Sequence, residues 1–244
     1  MSEFTFNGVS CQEKGITLLD YKQPASPSVR VTYVDIPGRD GSLAVSQPVY
    51  QDVTVSLHCA ILGDDRQEIQ EALRQAAGWM RGRGELSLWD QPGLSRPGTV
   101  VEWSEAQVNR QWAEFTILFQ GGPFLLGEEQ SLPLGPAVQV KGTVPARGVV
   151  TVTLPDDTSR IRITSSHGGS LALIGSLKAE QVISVDMQTG NIQLDGQPAN
   201  RLMELGGQTF AMPPGTGTIT CEALQDSDQY QAVEGTFRYR PQWR

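Results

Sequence analysis

A strand, a helix and a second strand follow one another within residues 53–89, and this stretch limits the fold more than any other. Every second residue from 53 to 61 is apolar: Val53, Val55, Leu57, Cys59 and Ile61. Such a period of two is typical of a strand with one buried face. The stretch therefore predicts a sheet with a helix attached to it.

The helix should follow at once, because apolar residues then recur at helical spacing. Asp64 or Asp65 can cap it, and Glu68 stands where a capping box places its acidic residue. The apolar stripe is Ile69, Ala72, Leu73, Ala76 and Met80. Gly82 and Gly84 are expected to end the helix before a strand over residues 85–89. No second helix of comparable strength is predicted.

Composition indicates a turn-rich β protein. The chain has 244 residues, 39% of them hydrophobic, with 26 Gly and 15 Pro. We expect two domains, residues 1–124 and 125–244, each long enough to bury about two thirds of its unfolded surface. Neither needs a metal, cofactor or disulfide. Cys11, Cys59 and Cys221 are widely spaced and are interpreted as reduced apolar residues.

The net charge of the chain excludes one broad class of function, the tight binding of nucleic acid. A formal net charge of −8 opposes tight binding to nucleic acid phosphates. The sequence contains no apolar run long enough to insert into a membrane, and its first residues do not resemble a signal peptide. We therefore expect a protein made and kept in a cytoplasm.

A hairpin is predicted between residues 29 and 50. Val29, Val31 and Tyr33 alternate with Arg30, Thr32 and Val34, a period of two that predicts a strand. The following loop contains Pro37, Gly38, Arg39, Asp40, Gly41 and Ser42. The spacing of these residues alone predicts an ordinary hairpin turn, and the loop lacks the sequence pattern of a phosphate-binding loop. Arg39 and Asp40 could nevertheless form ion pairs across a subunit boundary.

The sequence predicts mainly strands in the rest of the chain. We expect strands at residues 4–9, 16–20, 99–104 and 112–120, a boundary near residues 121–130, and an irregular segment over residues 124–145. The second half should be a sandwich or jelly roll. Its expected strands are residues 149–154, 160–164, 170–174, 182–187, 191–194, 218–222 and 233–239.

No group of residues favours catalysis. His58 and His167 share no motif with a nucleophile. The pair Asp64 and Asp65 is better explained as a helix cap, and the pair at residues 156–157 as a turn. Trp89, Trp103 and Trp112 are expected to pack in the core, which leaves few aromatic residues for a sugar site.

The order of several motifs resembles the distal tail protein family of long-tailed phages with non-contractile tails. The matching pieces are residues 4–9, the turn at residues 37–42, residues 50–52 with the strand after them, the helix within residues 64–80, residues 122–124, and Tyr239, Arg240 and Trp243.

The resemblance implies a mainly β fold of two sandwiches. The first would be tail-tube-like, with a single α-helix, and six copies of it would form a ring. The second would be galectin-like or jelly-roll-like. Members act as structural hubs, not enzymes, that join the tail tube protein to the tail-tip protein and let DNA pass. Receptor-binding or side proteins attach through the second domain, in a virion assembled in the host cytoplasm.

A second function stays open from the sequence. The second domain could be a carbohydrate-binding adhesin that recognises host surface glycans. Ring formation by the first domain would favour the hub, and saturable glycan binding by the second would favour the adhesin. A glycosidase is the weakest candidate, because each pair of acidic residues is better explained by a turn or a helix cap.

Overall fold

The computed structural model describes residues 2–224 and 229–244, which fall into two compact units. The first runs to Leu126 and includes Arg244, and the second is Gly127–Trp243. The first unit contains the helix α1 (Arg66–Trp79) and a short 3₁₀ turn (Gln12–Lys14). Its strands are β1 (Phe4–Phe6), β2 (Val9–Ser10), β3 (Ile16–Lys22), β4 (Val29–Val34), β5 (Leu43–Tyr50), β6 (Val53–Leu62), β7 (Arg83–Leu88), β8 (Arg96–Trp103), β9 (Gln107–Val108), β10 (Trp112–Gly121) and β11 (Leu125–Leu126).

One antiparallel sheet builds most of the first unit. Its strand order is β2-β1-β7-β8-β10-β6-β3, and β9 also pairs with β10. The edge strands β2 and β3 are joined only by the 3₁₀ turn, where the Ile16 amide donates to the Cys11 carbonyl. So short a connection between opposite edges requires the sheet to curl on itself. The curled sheet encloses a core that includes Phe4, Leu57, Ile117 and Phe119.

The helix α1 begins as predicted but ends earlier. Asp65 is the N-cap, and its Oδ1 accepts from the backbone N–H groups of Gln67 and Glu68 at 2.8 and 2.9 Å. The last helical residue is Trp79. Gly82 does have the expected positive φ, but it lies beyond the helix, and Gly84 lies inside β7. The helix therefore ends one residue before Met80, the last residue of the predicted helix.

The stripe of α1 that faces the sheet is narrower than its sequence suggests. Ile69, Ala76 and Met80 are fully buried. Ala72 and Leu73 are only partly buried and lie at the margin of the core. Among the described residues α1 is the one α-helix, and no helix there is long and apolar enough to cross a membrane.

The second unit is a sandwich of two antiparallel sheets. Their strand orders are β12-β23-β14-β17-β18-β19 and β16-β15-β21-β22, and β13 pairs with β20. The strands are β12 (Gln130–Pro133), β13 (Val138–Val140), β14 (Val149–Thr153), β15 (Thr158–Ser165), β16 (Ser170–Leu177), β17 (Val182–Asp186), β18 (Ile192–Leu194), β19 (Gln197–Pro198), β20 (Gly215–Gly217), β21 (Ile219–Leu224), β22 (Tyr230–Ala232), β23 (Gly235–Tyr239) and β24 (Gln242–Trp243). A short 3₁₀ turn spans Asn200–Leu202.

The predicted mainly β fold with one helix is confirmed, but the segment predicted to be irregular was misjudged. Three short strands, β11, β12 and β13, lie within residues 124–145. The core of the second unit contains Val150, Ile163, Leu173, Val185 and Phe237, which come from strands of both sheets.

Candidate functional site: an exposed hairpin arm

The hairpin formed by β4 and β5 is the least covered element of the first unit. The two strands pair only with each other, and every residue from 28 to 45 is exposed. The predicted hairpin is therefore present, and both faces of β4 are exposed. We call residues 29–50 the arm.

Apolar side chains lie on both faces of the arm. Val34 lies opposite Leu43 and Thr32 opposite Val45 on one face, whereas Tyr33 lies opposite Ala44 on the other. The exposed fraction is 70% for Tyr33 and 44% for Val34. Contiguous exposed apolar side chains are typical of surfaces that bind a partner.

The base of the arm is anchored, so the arm projects from a fixed root. The Gln51 amide donates to the Ser28 carbonyl at 2.8 Å, which closes the hairpin. Tyr50 packs edge-on against Phe124, with 5.2 Å between ring centroids, and Pro27 is buried. An isolated two-stranded hairpin is only marginally stable in water. Docking onto another surface would stabilise the arm.

The tip of the arm contains the turn that the sequence singled out. The Arg39 amide donates to the Ile36 carbonyl across Pro37 and Gly38, and Gly38 has φ of 81°, as in a type II turn. Ser42 Oγ donates to Asp35 Oδ1 at 2.7 Å. The structure thus places the six predicted site residues together in an exposed loop, with Gly41 also at positive φ.

The charges at the tip are available for an outside partner. Arg39 and Asp40 are exposed, and neither makes an ion pair with another residue in the part of the chain that the structure describes. The two strands of the arm also have one unpaired backbone edge each, to which a further strand could add.

The sequence predicted only part of the arm. The turn was identified, but the exposure of the strands on either side was not predicted. One signal could have corrected this. Tyr33 and Val34, and then Leu43, Ala44 and Val45, are consecutive apolar residues, so both faces of each strand had to be apolar.

The other sequence candidates have structural roles. His58 Nε2 lies 3.6 Å from Glu114 Oε2 on the outer face of the sheet. Asp157 accepts from Lys178 Nζ at 2.7 Å, and this hydrogen bond holds the pKa of the Asp157 carboxyl below its usual range. Within residues 2–224 and 229–244, no group of three or more His, Cys, Asp or Glu is placed to hold a metal ion.

Four aromatic side chains of the second unit are not available as a flat sugar platform. Phe210, Phe237 and Tyr239 are buried, and the Arg162 guanidinium covers the Tyr230 ring at 4.3 Å. In the first unit, Trp103 stacks on Phe115 as expected for core packing. Trp89 is 53% exposed instead, because the preceding residue Leu88 takes the inward position.

Comparisons with known proteins agree with this fold. Residues 141–243 match the family described as siphovirus-type tail component, C-terminal domain. A search of curated protein sequences finds no match.

Over its whole length the chain is similar to the crystal structure of the SPP1 Dit (gp 19.1) protein. The TM-score is 0.83 at 11% sequence identity, covering 99% of each chain. That protein is described as a paradigm of the hub adsorption apparatus of phages that infect Gram-positive bacteria. The family match confirms the resemblance for the second unit, and the structural match confirms the fold of the whole chain.

Proposed function

We propose that this chain is the hub at the end of a phage tail. Its second half matches a siphovirus-type tail component, and its fold is similar to that of the SPP1 Dit protein. It acts by assembly and not by catalysis. Copies of the first unit form a ring of six, which joins the tail tube protein to the tail-tip protein and leaves a channel for DNA. The second unit offers a surface for receptor-binding or side proteins. The protein would be assembled in the host cytoplasm and would function in the virion tail.

The observation that carries this proposal is the exposed arm of the first unit. Burial of a Val or Leu side chain contributes about 1.5–3 kcal/mol. Val34, Leu43 and Val45 lose much of that stabilisation in the isolated chain because each is about two fifths exposed. A neighbouring copy that covers the arm would recover it. In a ring, each copy offers its arm and receives the arm of the next.

The test compares assembly of arm variants with assembly of a matched control. Tyr33→Ser and Val45→Ser together remove apolar contacts from both faces of the arm. Leu205→Ser removes an apolar side chain from the second unit that is more exposed than either of these. Sedimentation velocity should show a ring for the natural chain and for Leu205→Ser, and monomers for the arm variant. A ring that survives the arm substitutions would contradict the proposal.

No observation favours the adhesin over the hub, but glycan binding and the oligomeric state of the chain distinguish the two functions. The adhesin requires residues 127–243 to bind a glycan saturably, whereas the hub does not. Saturable binding on a glycan array, together with a chain that stays monomeric, would make the adhesin the better account.

A further inference from the structure

A groove on the outer face of the second unit is lined by polar groups that have no partner in the chain. It has a volume of about 590 Å³ and lies where β14 and β23 run side by side. Thr151 and Thr153 of β14 and Thr236 of β23 contribute three hydroxyl groups to its lining. Among the described residues that line it, Glu234 is the one with a charge. The groove therefore presents oxygen atoms and no cation.

Strand periodicity brings the three threonines together. The residues on either side of Thr151 are buried in the core, so Thr151 and Thr153 point outward. Thr151 lies directly opposite Thr236 in the ladder. This pairing requires Gly235, because a Cβ there would lie 2.5 Å from the Thr151 carbonyl oxygen. The Cβ atoms of Thr236 and Thr153 are then about 5 and 7 Å from that of Thr151.

These polar groups are unpaired in the single chain. The side chains of Thr153, Thr236 and Glu234 are exposed and make no hydrogen bond or ion pair with another described residue. Thr151 Oγ1 is covered and also lacks a hydrogen-bond partner, which costs free energy. Because Thr151 lines the groove through its other atoms, rotation about χ1 would bring the hydroxyl into it. A ligand that donates several hydrogen bonds would satisfy these groups.

The chemistry of the groove suits a primary ammonium group. An ammonium has three N–H donors and no acceptor, and its charge complements the Glu234 carboxylate. Pro155 and Val233 add apolar surface to the lining, along which the four-carbon stem of a lysine can lie. A guanidinium is less suitable, because its planar fork matches the two oxygens of one carboxylate and not separate hydroxyls.

We propose that this groove binds a lysine side chain of a protein that attaches to the second unit. The inference rests on the proposed function, in which that unit offers a surface for receptor-binding or side proteins, and it adds the place and the chemistry of the contact. The ammonium pairs with Glu234, and it donates to the hydroxyls of Thr153, Thr236 and, after rotation, Thr151.

Titration of the full-length chain with a blocked lysine tests the groove without a partner protein. The probe is N-acetyl-lysine methylamide, and the same compound made from norleucine, which lacks the amine, is the control. In a chain with isotope-labelled threonine methyl groups, the NMR signals of Thr151, Thr153 and Thr236 should shift saturably, with a dissociation constant of about 10 mM or lower. The signal of Thr220, which lies in the other sheet, should not shift.

Two substitutions locate the contact. Glu234→Gln removes the charge and should weaken binding of the probe about tenfold or more. Glu128→Gln removes an exposed charge elsewhere in the second unit and should change binding less than about twofold. Thr151→Val replaces the hydroxyl with a methyl group and should weaken binding about threefold or more. Its melting temperature should be unchanged or higher, because a covered hydroxyl without a partner has been removed.

Glucosamine carries the same ammonium group on a sugar ring and should bind no more tightly than the lysine probe. Tighter binding of glucosamine would overturn the inference and would favour the adhesin over the hub. An absent shift with the lysine probe, equal shifts with the norleucine probe, or natural binding by Glu234→Gln or Thr151→Val would each overturn it as well. If the natural chain still forms the ring in those cases, the proposed function stands without this contact. If no ring forms, the proposed function fails whether or not lysine binds.

Discussion

Val34 lies directly opposite Leu43 in the ladder of the arm, and the two side chains are 44% and 39% exposed. Apolar residues that pair across strands usually stabilise a sheet by packing against a covered face. Here about two fifths of each side chain stays exposed. The pair is therefore organised for a surface that the single chain does not provide, which is the basis of the proposed ring.

The helix should be held by Ile69 more than by Leu73. We expect Ile69→Ala to lower the free energy of unfolding of the first unit by about 2–5 kcal/mol, because Ile69 is fully buried. Leu73→Ala should cost clearly less, since Leu73 is only partly buried. Urea unfolding of the two variants, with exposed Gln70→Ala as the control, measures the difference. An equal loss for Ile69 and Leu73 would show that the helix is docked differently.

The three thiols should be inert in the folded protein. Burial raises the pKa of Cys59 and of Cys221 to about 12, and it also raises the pKa of Cys11. A thiol-specific reagent at pH 8 should therefore react with no cysteine in the native chain and with three after denaturation. Fast reaction of the native chain would contradict the burial of these residues.

The same thiols make stability depend on pH at the alkaline end. Their folded pKa values lie above the ordinary value of 9.0, so the unfolded state releases protons first as the pH rises. Their contribution is complete below pH 9.0 and is lost between that pH and about 12. Cys59→Ala should reduce the loss of stability over this range, as followed by thermal unfolding at stepped pH.

A channel for DNA should have a wall without basic clusters. DNA carries one phosphate charge about every 1.7 Å of its axis, and Lys or Arg on the wall would hold it. The two longest strands, β6 and β10, contain no Lys or Arg, and their outer faces include Thr54, Ser56, Thr116 and Glu114. We expect acidic side chains to outnumber Lys and Arg on the inner wall.

The alternative is that the net charge of −8 only keeps the free subunit soluble. A structure of the assembled ring separates the two accounts. A basic inner wall would contradict the expectation that the wall lets DNA pass without holding it. Solubility would then be the better explanation of the net charge.

Sequence periodicity predicted the elements whose buried faces lie in the cores. Leu57 in β6 and Ile69 in α1 were placed correctly because each belongs to a long, regular pattern. Periodicity reports which side chains share a face, but it does not report whether anything covers that face. For this reason the alternation of Val31 and Tyr33 predicted a strand but not that both side chains are exposed.

Other features depend on contacts between residues far apart in the chain. The short strand β13 has too few residues for a pattern, and it exists because Val140 pairs with Gly215. Arg96 carries no local sign of burial, since the space for its side chain comes from Gly121 on another strand. The tip residues were found because glycine and proline mark turns locally.

Negative-stain electron microscopy of the purified full-length chain at micromolar concentration tests the central claim most directly. The account predicts closed rings with six-fold symmetry for the natural chain, in which each arm lies against the next copy. It also predicts single particles without a ring for the Tyr33→Ser, Val45→Ser variant. Natural chains that remain monomers at all concentrations, or rings that persist without the apolar side chains of the arm, would contradict it.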